Sequence, residues 1–326
     1  MFSFLLLLAG CSSDQKSTAA PAQPKKLIRV GYVTAPGSAG DLGAKKFKEL
    51  VEQRANGRIE VQLFPSSQLG GENDMVKLLQ NGSLEVEICG DGPLNVYAPQ
   101  YGALTMLYAF RNADHMQKVF RGPIGQELND ALIKSKDTRI ADVWIRGPRY
   151  ITSNKMIRSV SDLKGLKIRV PEMKVYLESF KAYGATPTPI AFSELYTALQ
   201  QGVVDAQENP IDNIYTASLY QVQKYLVETA HVYGPFLVLM SNSFYQKLPD
   251  DLKKTVSDSL QEAGEYEKTK TLEEEQREMK EVQAKGMKVI EVDRKQFVDK
   301  LAGVPQKLET ELSWKPGIYK QIVETQ

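Results

Sequence analysis

The stretch Ser161–Pro171, SDLKGLKIRVP, decides how this chain is read. Leu166, Ile168 and Val170 alternate with Lys167 and Arg169, the period of a strand that turns three apolar side chains to a core and two cations away from it. Pro171 ends the strand, because it has no N–H to give a ladder. In open α/β sheets ligands bind in the crevice outside the carboxyl ends of strands, and Arg169 stands close to such an end. A guanidinium there is planar, permanently charged and able to donate two parallel hydrogen bonds to a carboxylate. The spacing by itself equally describes a surface arginine on an edge strand.

Outward from this strand, helix and strand signals alternate. On the C-terminal side come a helix around Val175–Ala182, a strand near Thr186–Ile190, and a helix over Ser193–Gln201 with Ser193 as N-cap and Gly202 as stop, followed by Val203-Val204-Asp205-Ala206. On the N-terminal side Leu27–Val33 reads as a strand, Asp41–Ala55 as a helix, and Ile59, Val61 and Leu63 as a strand. Glu72–Gln80 then reads as a helix and Leu84–Cys89 as a strand. Two helices, Asp114–Phe120 and Pro123–Lys134, and a strand Arg139–Ile145 lead to a turn-like Arg146-Gly147-Pro148-Arg149. The expected fold class is α/β, with two units divided near Gly147, each a largely parallel sheet with helices on both faces. The glycine-rich Gly37–Gly43 segment ahead of a helix reads as a plain loop or, less economically, as an anion-binding turn.

Pro249–Lys285 is the longest helical pattern. Asp250 and Asp251 suit its positive end, and Gly286 sits where a C-terminal cap belongs. Leu252, Val256, Leu260 and Ala263 form a core stripe. Beyond Glu262 charge crowds the helix, with Glu273 and Arg277 at i, i+4 spacing and Glu273, Glu274 and Glu275 reading as a solvated face. A strut across both units fits this pattern better than a coiled coil.

The chain has 326 residues, 41 basic and 40 acidic, so no net field draws it to nucleic acid or an anionic membrane surface. Phe2–Leu8 is too short to span a bilayer and reads as the hydrophobic region of a signal peptide. Leu8-Ala9-Gly10-Cys11 follows directly and resembles the lipobox of bacterial lipoproteins, which makes Cys11 the expected lipidation site. Residues 1–11 are then signal peptide and lipobox, and 12–26 a flexible tether rich in Ser, Ala, Pro, Gln and Lys.

Residue supply argues against catalysis. Cys89 is the only other cysteine and reads as buried core, so neither a disulfide in the mature chain nor a cysteine metal site is expected. His115 and His231 have no metal-ligand spacing and no neighbouring nucleophile, and read as surface or packing residues. Asp205 and Glu208 are close enough to form an acid pair, but Asp205–Asn209 reads as a loop, where nothing would divide them into acid and base. No metal, no cofactor and no enzyme activity are expected.

Phe64–Glu72 (FPSSQLGGE), Gly147–Asn154 (GPRYITSN), Ser161–Glu172 (SDLKGLKIRVPE), Gly184–Pro210 (GATPTPIAFSELYTALQQGVVDAQENP) and Leu248–Lys254 (LPDDLKK) together resemble the solute-binding proteins of TRAP transporters, the DctP-like family. The resemblance runs from Leu27 almost to the C-terminus. It implies a two-domain periplasmic-binding-protein-like fold with a cleft between domains and a long helix spanning both. The first domain would hold residues 27–146 and about 235–274, and the second 147–234 and about 275–326. It also implies an extracytoplasmic protein, a monomer held here by the lipid anchor read from Leu8–Cys11, that closes on an organic acid and delivers it to the integral-membrane subunits of an ion-driven symporter.

The resemblance places the carboxylate-clamping arginine at Arg169, a second basic position at Arg149, a neutral donor at Asn209 and an aromatic wall at Phe192. The glutamate and asparagine that hold sialic acid in one branch of the family fall on Gly90 and Val33, so that ligand is not expected. Glu72 and Asp91 are candidates for the remaining polar contacts, with Tyr32 or Tyr97 as walls. A C4-dicarboxylate, a hydroxy or keto acid, or a sugar acid is the expected ligand. A sulfonate, a sensory role before a receptor, and a lipoprotein hydrolase or lyase are the alternatives.

Overall fold

The computed structural model describes residues 25–326, and their strands fall into two mixed sheets. Cys11 and most of the expected tether lie outside the described residues. In the first sheet β1 (Lys26–Tyr32), β2 (Ile59–Phe64), β3 (Val86–Cys89), β4 (Thr138–Ile145) and β10 (Pro235–Ser241) are ordered β2-β1-β3-β10-β4. β1 is parallel to β2 and β3, as consecutive βαβ units require, but β10 is antiparallel to both its neighbours. The largely parallel sheet read from the sequence is therefore mixed. β10 returns from the second unit instead of through a local helical crossover, so the rule that makes consecutive strands parallel does not govern it.

The second sheet holds β5 (Arg149–Ser153), β6 (Lys167–Val170), β7 (Thr186–Pro189), β8 (Ala206–Pro210), β9 (Tyr225–Val227) and β11 (Lys288–Ile290) in the order β11-β9-β5-β8-β6-β7. β6 is parallel to β7 and β8, while β5 is antiparallel to β8 and β9. β7 is the edge, which its prolines Pro187 and Pro189 suit because an edge strand can forgo ladder donors. Arg169 thus lies on an inner strand, and the edge-strand reading of it falls. Two further expectations change here. Ala206–Pro210 is a strand and not a loop. The helix expected from Ser193 starts at Leu195, behind a 3₁₀ turn over Phe192–Glu194, with Glu194 and not Ser193 at its N-cap. The amide of Gly37 is taken by Asp41 Oδ2 (2.7 Å), so the glycine-rich turn spends that donor on its own helix.

The helix Asp250–Ala284 runs 35 residues, about 50 Å, past the helix Ala39–Arg54, β4 and the helix Ile211–Thr216. It crosses the first unit closely because Gly43 and Gly264 face Trp144. A Cβ on either would lie 2.6 Å from the indole. Its apolar stripe continues as a buried polar one, Glu267, Thr271 and Glu278, so the charged half is not simply solvated. Arg277 pairs with Glu274 and not with Glu273, and Glu275 accepts from Tyr150 Oη (3.1 Å). The C-terminal segment touches both units. Val304–Glu311 packs on Lys174–Ala182, whereas Ile318–Glu324 packs on the turn Pro99–Thr105, where Lys315 N donates to Gln100 O (2.8 Å). One apolar cluster, with Leu94, Leu104 and Leu237 from the first unit and Val170, Phe180 and Val227 from the second, is continuous between the sheets.

Glu267 gives a test of this packing. Its Oε1 accepts from Thr271 Oγ1 (2.7 Å), its Oε2 is buried without a partner among the described residues, and burial pushes its carboxyl up to about 8. A carboxyl raised from its ordinary 4.5 stabilises the fold fully below pH 4.5 and loses that contribution as pH rises toward 8. Glu267→Gln is expected to match the wild type near pH 4 and to exceed it by on the order of 3 kcal/mol at pH 7. Urea unfolding at both pH values measures this, and an equal difference at the two would contradict it.

Candidate functional site

The carboxyl ends of β1, β3 and β4 face those of β6, β7 and β8 across a cavity of about 490 Å³. Val33 follows β1, Gly90 and Asp91 follow β3, and Arg146 follows β4. Glu72, at the start of its helix, completes this wall. From the second unit come Arg149, Arg169, Met173, Tyr176, Phe192 and Asn213.

Arg169 is 3% exposed, and its Nε donates to Ile190 O (2.8 Å), which fixes the guanidinium plane. Among the described residues neither of its Nη atoms has a hydrogen-bond or ion-pair partner in the protein, although they border the cavity. Burial lowers its pKa to about 10, with Glu208 opposing and Arg149 adding to the shift. The group stays charged at neutral pH. A fork with both terminal donors unspent, held at one end, can grip one carboxylate bidentately.

Arg149 is different. Its Nε donates to Glu208 Oε2 (2.5 Å), and its Nη2 donates to Glu208 Oε1 (2.8 Å), Glu208 O (2.9 Å) and Asn209 Oδ1 (3.2 Å). Burial disfavours its charge, but Glu208 more than compensates and holds its pKa above the ordinary arginine value. Glu208 Oε2 also meets His231 Nε2 (3.0 Å), and His231 Nδ1 meets Thr229 Oγ1 (2.7 Å). Burial lowers the His231 pKa, so the ring is neutral at pH 7, with Nε2–H donating to the carboxylate and Nδ1 accepting from the threonine. Behind them Asn209 Nδ2 donates to Gln207 Oε1 (2.6 Å), and Gln207 Nε2 donates to Thr152 Oγ1 (2.9 Å). β8 can be polar and buried because each of these residues finds a partner on β5 or beyond.

This chain matches the family model "Bacterial extracellular solute-binding protein, family 7" over residues 30–311. The chain belongs to this family. It is 36% identical over 287 residues to a solute-binding protein of Roseobacter denitrificans, covering 88% of each chain. It is 32% identical over 300 residues to the 2,3-diketo-L-gulonate-binding periplasmic protein of Escherichia coli K12, covering 91% of this chain and 90% of that one. A crystal structure of a TRAP periplasmic solute-binding protein from Polaromonas sp. JS666, bound to D-erythronate, superposes with a TM-score of 0.87 at 33% identity, over 93% of this chain and 99% of that one. The expected TRAP-type, DctP-like two-domain architecture is therefore present.

In this family 7 protein the cavity brings together Arg169, Arg149, Phe192, Glu72 and Asp91, together with Gly90 and Val33. Three residues expected there are elsewhere. Tyr32 is 1% exposed and packs in the core of the first unit, where its hydroxyl donates to Asp41 Oδ1 (2.7 Å). Strand alternation turns Tyr32 away from the side its neighbour Val33 shows to the cavity. Asn209 sits one layer behind the cavity wall with its amide spent on Gln207 and Arg149, and Asn213 stands in front of it. Tyr97 donates to Asn73 O (3.1 Å) and lines a separate small crevice. Sequence reasoning missed Arg146, taken as a turn residue, and the Arg149–Glu208–His231 chain, because Glu208 read as loop and His231 as packing. The unbroken polar run Gln207-Glu208-Asn209 ahead of Pro210 was the available signal.

Proposed function

We propose that this family 7 protein captures a small organic acid, a C4-dicarboxylate, a hydroxy or keto acid or a sugar acid, with the ligand carboxylate forked on the two free Nη atoms of Arg169. That unspent fork, buried on an inner strand at a cleft, is the observation that carries the reading. Arg149, neutralised by Glu208, contributes its remaining Nη1 and a rigid floor, and Phe192 forms the wall. Glycine at 90 and valine at 33 offer no side-chain hydrogen bond at the two positions where the resemblance puts the sialic-acid contacts, which favours a smaller acid. A relative named for diketogulonate binding and a structural neighbour bound to D-erythronate point to the same range of acids. The protein acts without catalysis, as a monomer whose two units close on the ligand and present it to the membrane symporter. Mass spectrometry of co-purified ligand, followed by a thermal-shift screen of acids and neutral sugars, tests the reading. A screen in which a neutral sugar or sialic acid gave the only shift would overturn it.

Cys11, after the apolar run Phe2–Leu8, anchors the protein in this reading through a lipid. One acyl chain holds a protein only marginally, so a stable anchor takes more than one. Cys11→Ser is expected to move the protein from the membrane fraction to the soluble one and to abolish radiolabelled-palmitate incorporation. Unlabelled, soluble wild-type protein would refute the anchor.

A further inference from the structure

We propose that the acid is a polyhydroxy monocarboxylate, held by Arg169 at its carboxylate as in the reading above, with its far hydroxyls against Arg146 between the carboxylates of Glu72 and Asp91. Arg146 follows β4 and lies over the Phe236 ring, 4.5 Å from its centroid. Its Nε is buried without a partner, and among the described residues its guanidinium makes no hydrogen bond and no ion pair, although it lines the cavity. It reaches this place because residue 90 is glycine. A Cβ there would lie 2.6 Å from Arg146 Nη1 and 3.5 Å from Glu72 Oε1. Among the described residues Glu72 Oε1 accepts only the Gly90 N–H (2.8 Å), and Asp91 Oδ2 is buried with no partner.

This end of the cavity therefore presents an unpaired donor beside under-used acceptors. A hydroxyl donates and accepts, so it satisfies both kinds at once. A second carboxylate only accepts, and would be placed beside two carboxylates with one guanidinium to offset them. An ammonium only donates and would face Arg146. Leaving Arg146 and Asp91 unpaired when the cleft closes is costly, which makes the far hydroxyls a requirement for tight binding and not an ornament.

Calorimetry on the full-length protein with matched four-carbon acids separates the possibilities. Threonate or erythronate is expected to bind roughly 10- to 100-fold more tightly than 2-hydroxybutyrate, which lacks the far hydroxyls, and than succinate, which replaces them with a carboxylate. Arg146→Met is expected to erase most of that ratio while changing 2-hydroxybutyrate binding less than about threefold. Gly90→Ala is a second variant that keeps the arginine and displaces its head, and it should reproduce the selective loss if Arg146→Met fails to fold. Succinate binding as tightly as threonate, still dependent on Arg169, would overturn this inference and leave the proposed function standing. Failure of every acid to bind would remove both.

Discussion

Arg169→Ala is expected to weaken binding of the cognate acid by about 2–5 kcal/mol, roughly 30-fold to several-thousand-fold, the usual loss when one partner of a buried, hydrogen-bonded charge pair is truncated. The loss should be specific to binding. Among the described residues Arg169 has no carboxylate partner in the protein and makes one hydrogen bond, to Ile190 O, so removing it deletes a desolvated charge and no ion pair. The melting temperature without ligand should stay level or rise, while the ligand-induced shift disappears. Arg169→Lys should recover little, because an ammonium has no planar fork and cannot keep the Nε anchor while offering two parallel donors. Titration calorimetry and melting curves on the same preparations measure both halves. Affinity unchanged in Arg169→Ala would remove the clamp from its place at the centre of the site.

Glu208→Ala is expected to act on the fold first. Glu208 is fully buried and takes two hydrogen bonds from the Arg149 side chain and one from His231. Without it a buried guanidinium loses the only ion pair it makes among the described residues, a change that costs about 3–5 kcal/mol. A fall in melting temperature of roughly 10 °C follows for a chain of this size. Glu208→Gln keeps the shape and one acceptor and should fall between the two. The pH dependence has a defined sign. Burial opposes ionisation of Glu208, but the charge of Arg149 and the hydrogen bonds of Arg149 and His231 outweigh it and hold the carboxyl at about 2. A carboxyl depressed from its ordinary 4.5 stabilises the fold above that pH and loses its contribution as pH falls toward 2. Wild-type protein should weaken across that window and Glu208→Gln should not, by chemical denaturation. A Glu208→Ala protein that melted with the wild type would mean that the pair contributes nothing net.

Local chemistry made much of the first unit legible. The helix Glu72–Gln80 is present at the bounds its closing Asn81-Gly82 suggests, and β1, β2 and β3 sit where alternation puts them. The long helix spans Asp250–Ala284 because its start and stop signals, Pro249, Asp250, Asp251 and Gly286, act within a turn of its ends. Direction within a sheet was not legible. β10 lies between β3 and β4, antiparallel to both, and it enters the sheet only after the chain has built most of the second unit.

By itself the sequence determined the α/β class, the family, and the seat of Arg169, whose strand is declared by five consecutive residues and ended by Pro171. These rest on interactions within a few positions of each other, or on a motif whose order is fixed by covalent connection. Only the tertiary structure decided that Glu208 is a buried ion-pair partner and not a loop acid, since Arg149 lies 59 positions away and nothing local to Gln207-Glu208-Asn209 announces it. It also decided that Tyr32 belongs to the core, that Asn209 stands behind Asn213, and that Arg146 reaches the cavity through the space Gly90 leaves. The burial of a polar side chain is settled by what the fold brings opposite it, because desolvation must be offset by partners supplied from distant strands.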